Sequence, residues 1–289
     1  MGRREHGPGL GDRLRSLPVR HRSFLEHALS AASGVDGLVG LSAGGSFIAG
    51  EIDEFSDLDL VLAVEPEAWP EILDRQQAIA AELHPSFLAG FTGEHVGEPR
   101  LLVCLYGPPL LHVDLKFVSL DDMHERVEDP VVLWERDGRM SAALARGEAR
   151  YPSADPAWIE ARFWIWAHYI ADKIERGEIF EGLDGLGMLR AHVLSPLAFL
   201  GAGLDATGVR RIEDRLPAFA TDLEQTVGGA DSAASAAALE AAIELYTELR
   251  EAGGGASRVA GSDDEISDVE REVRAYVAGL RGRLGLGGT

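Results

Sequence analysis

Apolar and polar positions follow two different rhythms along this chain. Through the first half, short β-branched or apolar runs alternate with stretches of helical period: residues 20–32 read as helix, 37–41 and 58–64 as strands, 67–83 as helix, and 101–106 and 111–118 as strands. Beyond Tyr151 the strand signals fade, and the helical period takes over across 158–176, 183–200 and 233–251. The pattern predicts an α+β fold, in which a small mixed β-sheet domain with flanking helices is followed by an all-α helical-bundle domain. Pro152 and Pro156 punctuate the join and place a boundary near residue 150. Residues 1–18 then read as a disordered tail, 19–150 as the first domain and 151–289 as the second. Within the second, residues 253–262 form a Gly/Ala/Ser-rich linker, and Ser262 followed by Glu265 matches a capping box that opens a last helix through about Leu280. The Gly-rich residues 285–289 read as a frayed end.

Composition narrows the classes. The longest apolar stretches, 58–64 and 165–170, fall well short of the roughly 20 residues that a membrane-spanning helix needs. The arginine-rich start (Arg3, Arg4, Arg13, Arg15) lacks the apolar segment of a secretory signal, so a cytoplasmic protein is the expectation. Cys104 is the single cysteine and sits in an apolar run, which rules out an intrachain disulfide and suits a small core residue. With 48 acidic against 27 basic side chains the net charge is −21, a field that repels polyanions and excludes extended nucleic acid as a partner. The same field draws small cations into acidic clefts, although acidity serves solubility equally well. Neither an internal repeat nor an oligomeric state is legible.

The chemistry concentrates in residues 41–64, LSAGGSFIAGEIDEFSDLDLVLAV, where a Gly-Gly-Ser turn follows a short strand and precedes a helix. A second strand then carries Asp57 and Asp59. Residues i and i+2 of a strand share a face, with Cα atoms about 6.7 Å apart, so both carboxylates point the same way. Leu58 and Leu60 face the opposite layer, and two like charges this close are costly unless they lie at an edge or bind cations. Hard oxygen ligands of this kind suit Mg²⁺. Asp114 is a third carboxylate, alone in the middle of the apolar run LHVDLKFV, and a neighbouring strand could bring it opposite the pair. Three such carboxylates can hold two metal ions that clamp the attacking and leaving oxygens of an in-line phosphoryl or nucleotidyl displacement.

With Gly45-Ser46, ten residues between Ser46 and Asp57-Leu58-Asp59, and Asp114 on a later strand, the chain resembles the polymerase-β-like nucleotidyltransferase superfamily. The motif-bearing likeness covers about residues 35–120. It implies that Gly45 and Ser46 line a triphosphate, the glycine permitting close approach and the hydroxyl or amide at a helix start donating to phosphate oxygen. It implies further that Asp57 and Asp59 hold Mg²⁺, that two ions accompany the bound nucleotide, and that Asp114 completes the first metal site. In the smaller antibiotic-modifying members the third aspartate is also a candidate general base.

A nucleotidyltransferase domain followed by a helical domain looks like the kanamycin, streptomycin and lincosamide nucleotidyltransferases, which implies a role in antibiotic resistance. The expected reaction is transfer of AMP from ATP to a hydroxyl of a small acceptor, releasing pyrophosphate. The acidic charge tilts the acceptor toward an aminoglycoside-like cation, with a neutral lincosamide-like acceptor left open. Helical spacing puts Arg162, Trp166, Tyr169, Lys173 and Arg176 on one stripe, from which Lys173 could neutralise triphosphate charge. An amphipathic core helix with exposed cations explains that stripe at least as well. Arg162 and His168 also match the short Arg…His spacing of HEPN ribonuclease helices, and His112 shares a strand face with Asp114; a structural histidine is the simpler account of both. Two other functions stay open: nucleotidyl transfer to a protein, of toxin–antitoxin type, and a non-catalytic nucleotide-sensing or partner-binding module.

Overall fold

The structure is a computed structural model that describes residues 9–253 and 267–285. The chain divides into two compact units, Met1–Tyr151 and Pro152–Thr289. The first begins with α1 (Leu10–Ser16) and α2 (Val19–Ala32). There follow β1 (Leu38–Ala43), the single turn α3 (Ser46–Ala49), β2 (Leu58–Val64), α4 (Trp69–Asp74), α5 (Gln76–Leu83), β3 (Phe87–Gly93), β4 (Glu98–Tyr106), β5 (Leu111–Ser119), β6 (Val131–Glu135) and α6 (Arg139–Leu144). The class is α+β: among the described residues, six strands form one sheet in the order β3-β4-β5-β2-β1-β6. The central pair β2 and β5 runs parallel, and the flanking pairings are antiparallel.

Strands β2 and β5 are buried along one face throughout and on both faces only toward their C-terminal ends. On one face Leu58, Leu60, Leu62, Val113, Leu115 and Phe117 pack with Phe24, Leu25 and Ala28 of α2 and Ile79 and Leu83 of α5. On the other face a smaller cluster of Val39, Ala63, Val118, Met140 and Ala143 lies under α6, so that only the C-terminal ends of β2 and β5 are covered there. The N-terminal halves of these strands on that second face are where Asp59 and Asp114 stand.

Several elements differ from the reading of the sequence. The segment expected as a disordered tail contains α1, whose Arg13 donates to the carbonyls of Phe47 and Ile48 and whose neighbours Leu14 and Leu17 pack against the core. The helix expected over 67–83 is divided by Arg75, which leaves the helical region at φ −107° and ψ 10°. The strands β3 and β6 gave little signal, because each is an edge strand whose residues are largely half-buried or exposed.

The second unit contains α7 (Pro156–Glu175), α8 (Ile179–Leu189), α9 (Ser195–Gly201), α10 (Ile212–Arg215), α11 (Pro217–Glu224), α12 (Ser232–Ala252) and α13 (Asp268–Arg283). Asp155 caps α7 by accepting from the amides of Ala157 and Trp158 at 3.0 and 3.1 Å. Between α8 and α9 the helix widens into a π turn at Arg190–Leu194, with the Ser195 amide bonded to the Arg190 carbonyl. Pro196 accounts for it: a proline removes one ladder donor and crowds the carbonyl four residues back, and the wider turn accommodates both. The core packs Phe163, Trp164, Phe199 and Tyr246. Arg250 and Arg274 grip the buried Glu270 and so tie α13 to α12. Ser262 and Glu265, expected to open the last helix, lie outside the described residues; α13 is capped by Ser267, which accepts from the Glu270 amide.

Candidate active site

Strand β1 is buried throughout and delivers the chain to Gly44-Gly45-Ser46 at the end of the sheet. The Gly44 amide donates to the Asp59 carbonyl at 2.8 Å, continuing the β1–β2 ladder by one bond and stitching the turn to β2. Gly45 adopts φ 54° and ψ −135°, a region that side chains avoid. A Cβ at this residue would stand 2.1 Å from Asp59 Oδ2, so glycine is required both by the backbone and by the carboxylate lodged against it. Helix α3 is one turn long, too short to build up a helix dipole.

Asp59 and Asp114 are direct partners in the parallel register of β2 and β5, side by side on the face that α6 leaves open. Asp57 lies one residue before the first paired residue of β2, at the mouth of the strand rather than within it. Its approach is fixed from behind. Asp53 Oδ1 accepts from the Phe55 amide at 2.8 Å and from Ser56 Oγ at 3.0 Å, and the buried His21 of α2 bonds the Ser56 carbonyl at 2.8 Å. The structure thus brings Asp59, Asp114 and Gly45 together, with Asp57 at the same strand end and Ser46 half-buried as the first residue of α3.

The side chains are turned toward protein partners. Asp59 Oδ2 faces Gly45, and a 2.9 Å hydrogen bond joins Asp114 Oδ1 to Nε2 of the exposed His112. Among the described residues no group of three or more His, Cys, Asp or Glu side chains stands in metal-holding geometry. The donor set itself, carboxylate oxygens on adjacent strands, is the kind that Mg²⁺ takes.

Glu128, in the loop between β5 and β6, is a residue the sequence reading did not single out. Its Oε1 accepts from the Gly45 amide at 2.7 Å. Nothing in the local pattern marks it, since Glu125 and Asp129 beside it are equally acidic. Lys116, two residues beyond Asp114 on the same face, is engaged by Glu98 at 2.9 Å. Arg100 grips the same carboxylate at 2.7 Å, and its hydrogen bond is the main reason that Glu98 is held at about 2. The site therefore presents a net acidic face. A cleft of about 590 Å³ in this unit is lined by Phe24, Phe55, His84 and Tyr106 and includes none of the three aspartates.

In the second unit, Lys173 Nζ pairs with Glu178 at 2.7 Å and lies 5.1 Å from the Tyr169 ring centroid. Arg162 stacks over Trp158 at 4.2 Å, whereas His168 packs on Tyr276 at 4.8 Å, so the two face different neighbours.

Neither a protein-family model nor a curated protein matches the chain. An aminoglycoside 6-adenyltransferase from Bacillus subtilis aligns over 89% of this chain and 97% of its own, with TM-score 0.39 and 14% identity. A nucleotidyltransferase-like protein from Exiguobacterium sibiricum aligns over 96% of this chain and 89% of its own, with TM-score 0.34 and 12% identity. The chain is similar to both.

Proposed function

We propose that the first unit is a nucleotidyltransferase that moves a nucleoside monophosphate, AMP from ATP, onto a hydroxyl of a small acceptor. The observation that carries this reading is the in-register pair Asp59 and Asp114, set on an open sheet face against the Gly45 turn. Asp57, Asp59 and Asp114 would hold Mg²⁺, which when bound neutralises triphosphate charge and polarises the α-phosphate. Gly45 and Ser46 would receive the triphosphate, the missing side chain at Gly45 letting a phosphate come close to the backbone. The acceptor oxygen attacks the α-phosphorus as the bond to the bridging oxygen of pyrophosphate breaks. Asp114 takes the hydroxyl proton, and the exposed His112 on its Oδ1 offers a path for that proton to water. Lys173 is left out because Glu178 already neutralises it.

The acidic face and a net charge of −21 favour a cationic acceptor such as an aminocyclitol. The test incubates the chain with ATP and Mg²⁺ across aminoglycosides, lincosamides and hydroxylated metabolites, and follows pyrophosphate. Asp59→Asn and Asp114→Asn should abolish release; equal release from wild type and variants would show that the site is elsewhere. Mg²⁺ with ATP should also raise the melting temperature.

A further inference from the structure

We propose that Glu128 is an internal competitor for the triphosphate: in the free protein its carboxylate holds the Gly45 amide, and it must leave before a phosphate oxygen can take that donor. The proposal rests on the reading of the turn as a nucleotide site. Its observation is separate, namely a carboxylate already seated in the turn. Oε1 of Glu128 accepts from the Gly45 amide at 2.7 Å, and a Cβ on Gly44 would come within 2.5 Å of the same oxygen. The carboxylate therefore fills the space that the glycine pair keeps clear. One N–H donates one good hydrogen bond, and two anions cannot share it.

The loop that carries Glu128 is pinned close by. Arg126 donates to the carbonyls of Leu144 at 2.9 Å and Gly147 at 3.1 Å, its own carbonyl accepts from the Arg150 amide at 2.9 Å, and its Nε bonds Asp129 at 2.7 Å. With the loop anchored at Arg126, two residues before it, rotation of the half-buried Glu128 side chain suffices to open the turn. Asp59, also lodged against the glycine pair, adds a second negative charge that favours expulsion once an incoming phosphate is neutralised by cations. Glu128 thus selects against a phosphate that arrives bare and lets a cation-neutralised triphosphate displace it. An equilibrium that keeps the turn closed most of the time weakens apparent affinity by the open fraction.

The experiment is titration calorimetry on the full chain with inorganic tripolyphosphate and with ATP, each with Mg²⁺, comparing wild type, Glu128→Gln and Glu128→Ala, with melting temperatures alongside. Both variants should bind tripolyphosphate roughly ten- to a hundredfold more tightly, and KM for ATP should fall while kcat is kept. A role limited to bracing the turn would lower the melting temperature and weaken binding instead, which overturns the proposal. Loss of kcat at unchanged affinity would assign Glu128 to the reacting atoms and overturn it as well. If wild type binds ATP and the variants bind no more tightly, the competitor idea alone falls. If no form of the protein binds either ligand, the nucleotide-site reading falls with it.

Discussion

Replacing Gly45 by alanine separates two costs that the structure superimposes at one residue. The backbone there, φ 54° and ψ −135°, is nearly exclusive to glycine, and holding an L-residue in such a region costs about 1–3 kcal/mol. The added Cβ would also meet Asp59 Oδ2 at 2.1 Å and Cγ at 3.1 Å, so the carboxylate has to retreat by about 1 Å to reach an ordinary contact. A misplacement of that size in a reacting constellation lowers the rate by about a hundredfold. Gly50 supplies the control: it has φ 74° and ψ 28° at the C-terminal end of α3, and a Cβ there meets nothing within 4 Å. Gly50→Ala should therefore cost about 1 kcal/mol of backbone strain and leave the rate within about threefold of wild type. The assays are urea denaturation for stability and pyrophosphate release for activity. Equal activities for Gly45→Ala and Gly50→Ala would refute the reasoning, because displacement of Asp59 would then be without consequence.

The remaining predictions concern stability and reactivity. The folded pKa of Glu98 lies at about 2 against an ordinary 4.5, so the stability it contributes is complete above pH 4.5 and lost as the pH falls toward 2. Discounted for partial exposure this amounts to about 1–2 kcal/mol in full, a little over half of it lost by pH 3, so Glu98→Gln should shrink the difference in urea stability between about pH 6 and pH 3 by about 1 kcal/mol. An unchanged difference would remove Glu98 from the account. Burial pushes the Cys104 thiol up to about 12, so the native protein should resist a thiol-specific disulfide reagent at about pH 8 and react with one equivalent once unfolded; rapid native labelling would contradict the placement. Glu270, only 2% exposed and held by two arginines, should cost about 3 kcal/mol when changed to alanine, because Arg250 and Arg274 lose the buried carboxylate they share and keep only Glu160 and Glu244. A loss below about 1 kcal/mol would mean that α13 is not anchored through it.

How much of this was legible beforehand differs from element to element. The long helices of the second half stood out because each carries an apolar stripe over several turns, and α12 was bounded to within a residue or so at each end, whereas the short α10 and α11 were not read. The edge strands β3 and β6 did not, since an edge strand half-open to water needs no alternating pattern, and five or seven residues give little to average over. The short helix α1 was hidden in a basic segment; its order comes from Leu14 and Leu17 reaching the core and from Arg13 reaching the end of α3, contacts invisible to any local window.

The same division runs through the candidate site. Sequence by itself determined that two aspartates, Asp57 and Asp59, flank the start of an apolar strand, and that a glycine-rich turn lies shortly before them; the strand begins only at Leu58, so the shared face expected from alternation does not extend to Asp57. Sequence also marked Asp114 as a lone charge in an apolar strand. Only the tertiary structure decided that Asp114 stands directly beside Asp59, because that depends on the register of two strands separated by about fifty residues. The close fit of Asp59 against Gly45 and the arrival of Glu128 at the turn belong to the same class, whereas the bond from His112 to Asp114 joins two residues of one strand face. The physical reason is that periodicity and propensity act over a few residues, whereas the position of one carboxylate against another chain segment is fixed by how whole elements pack.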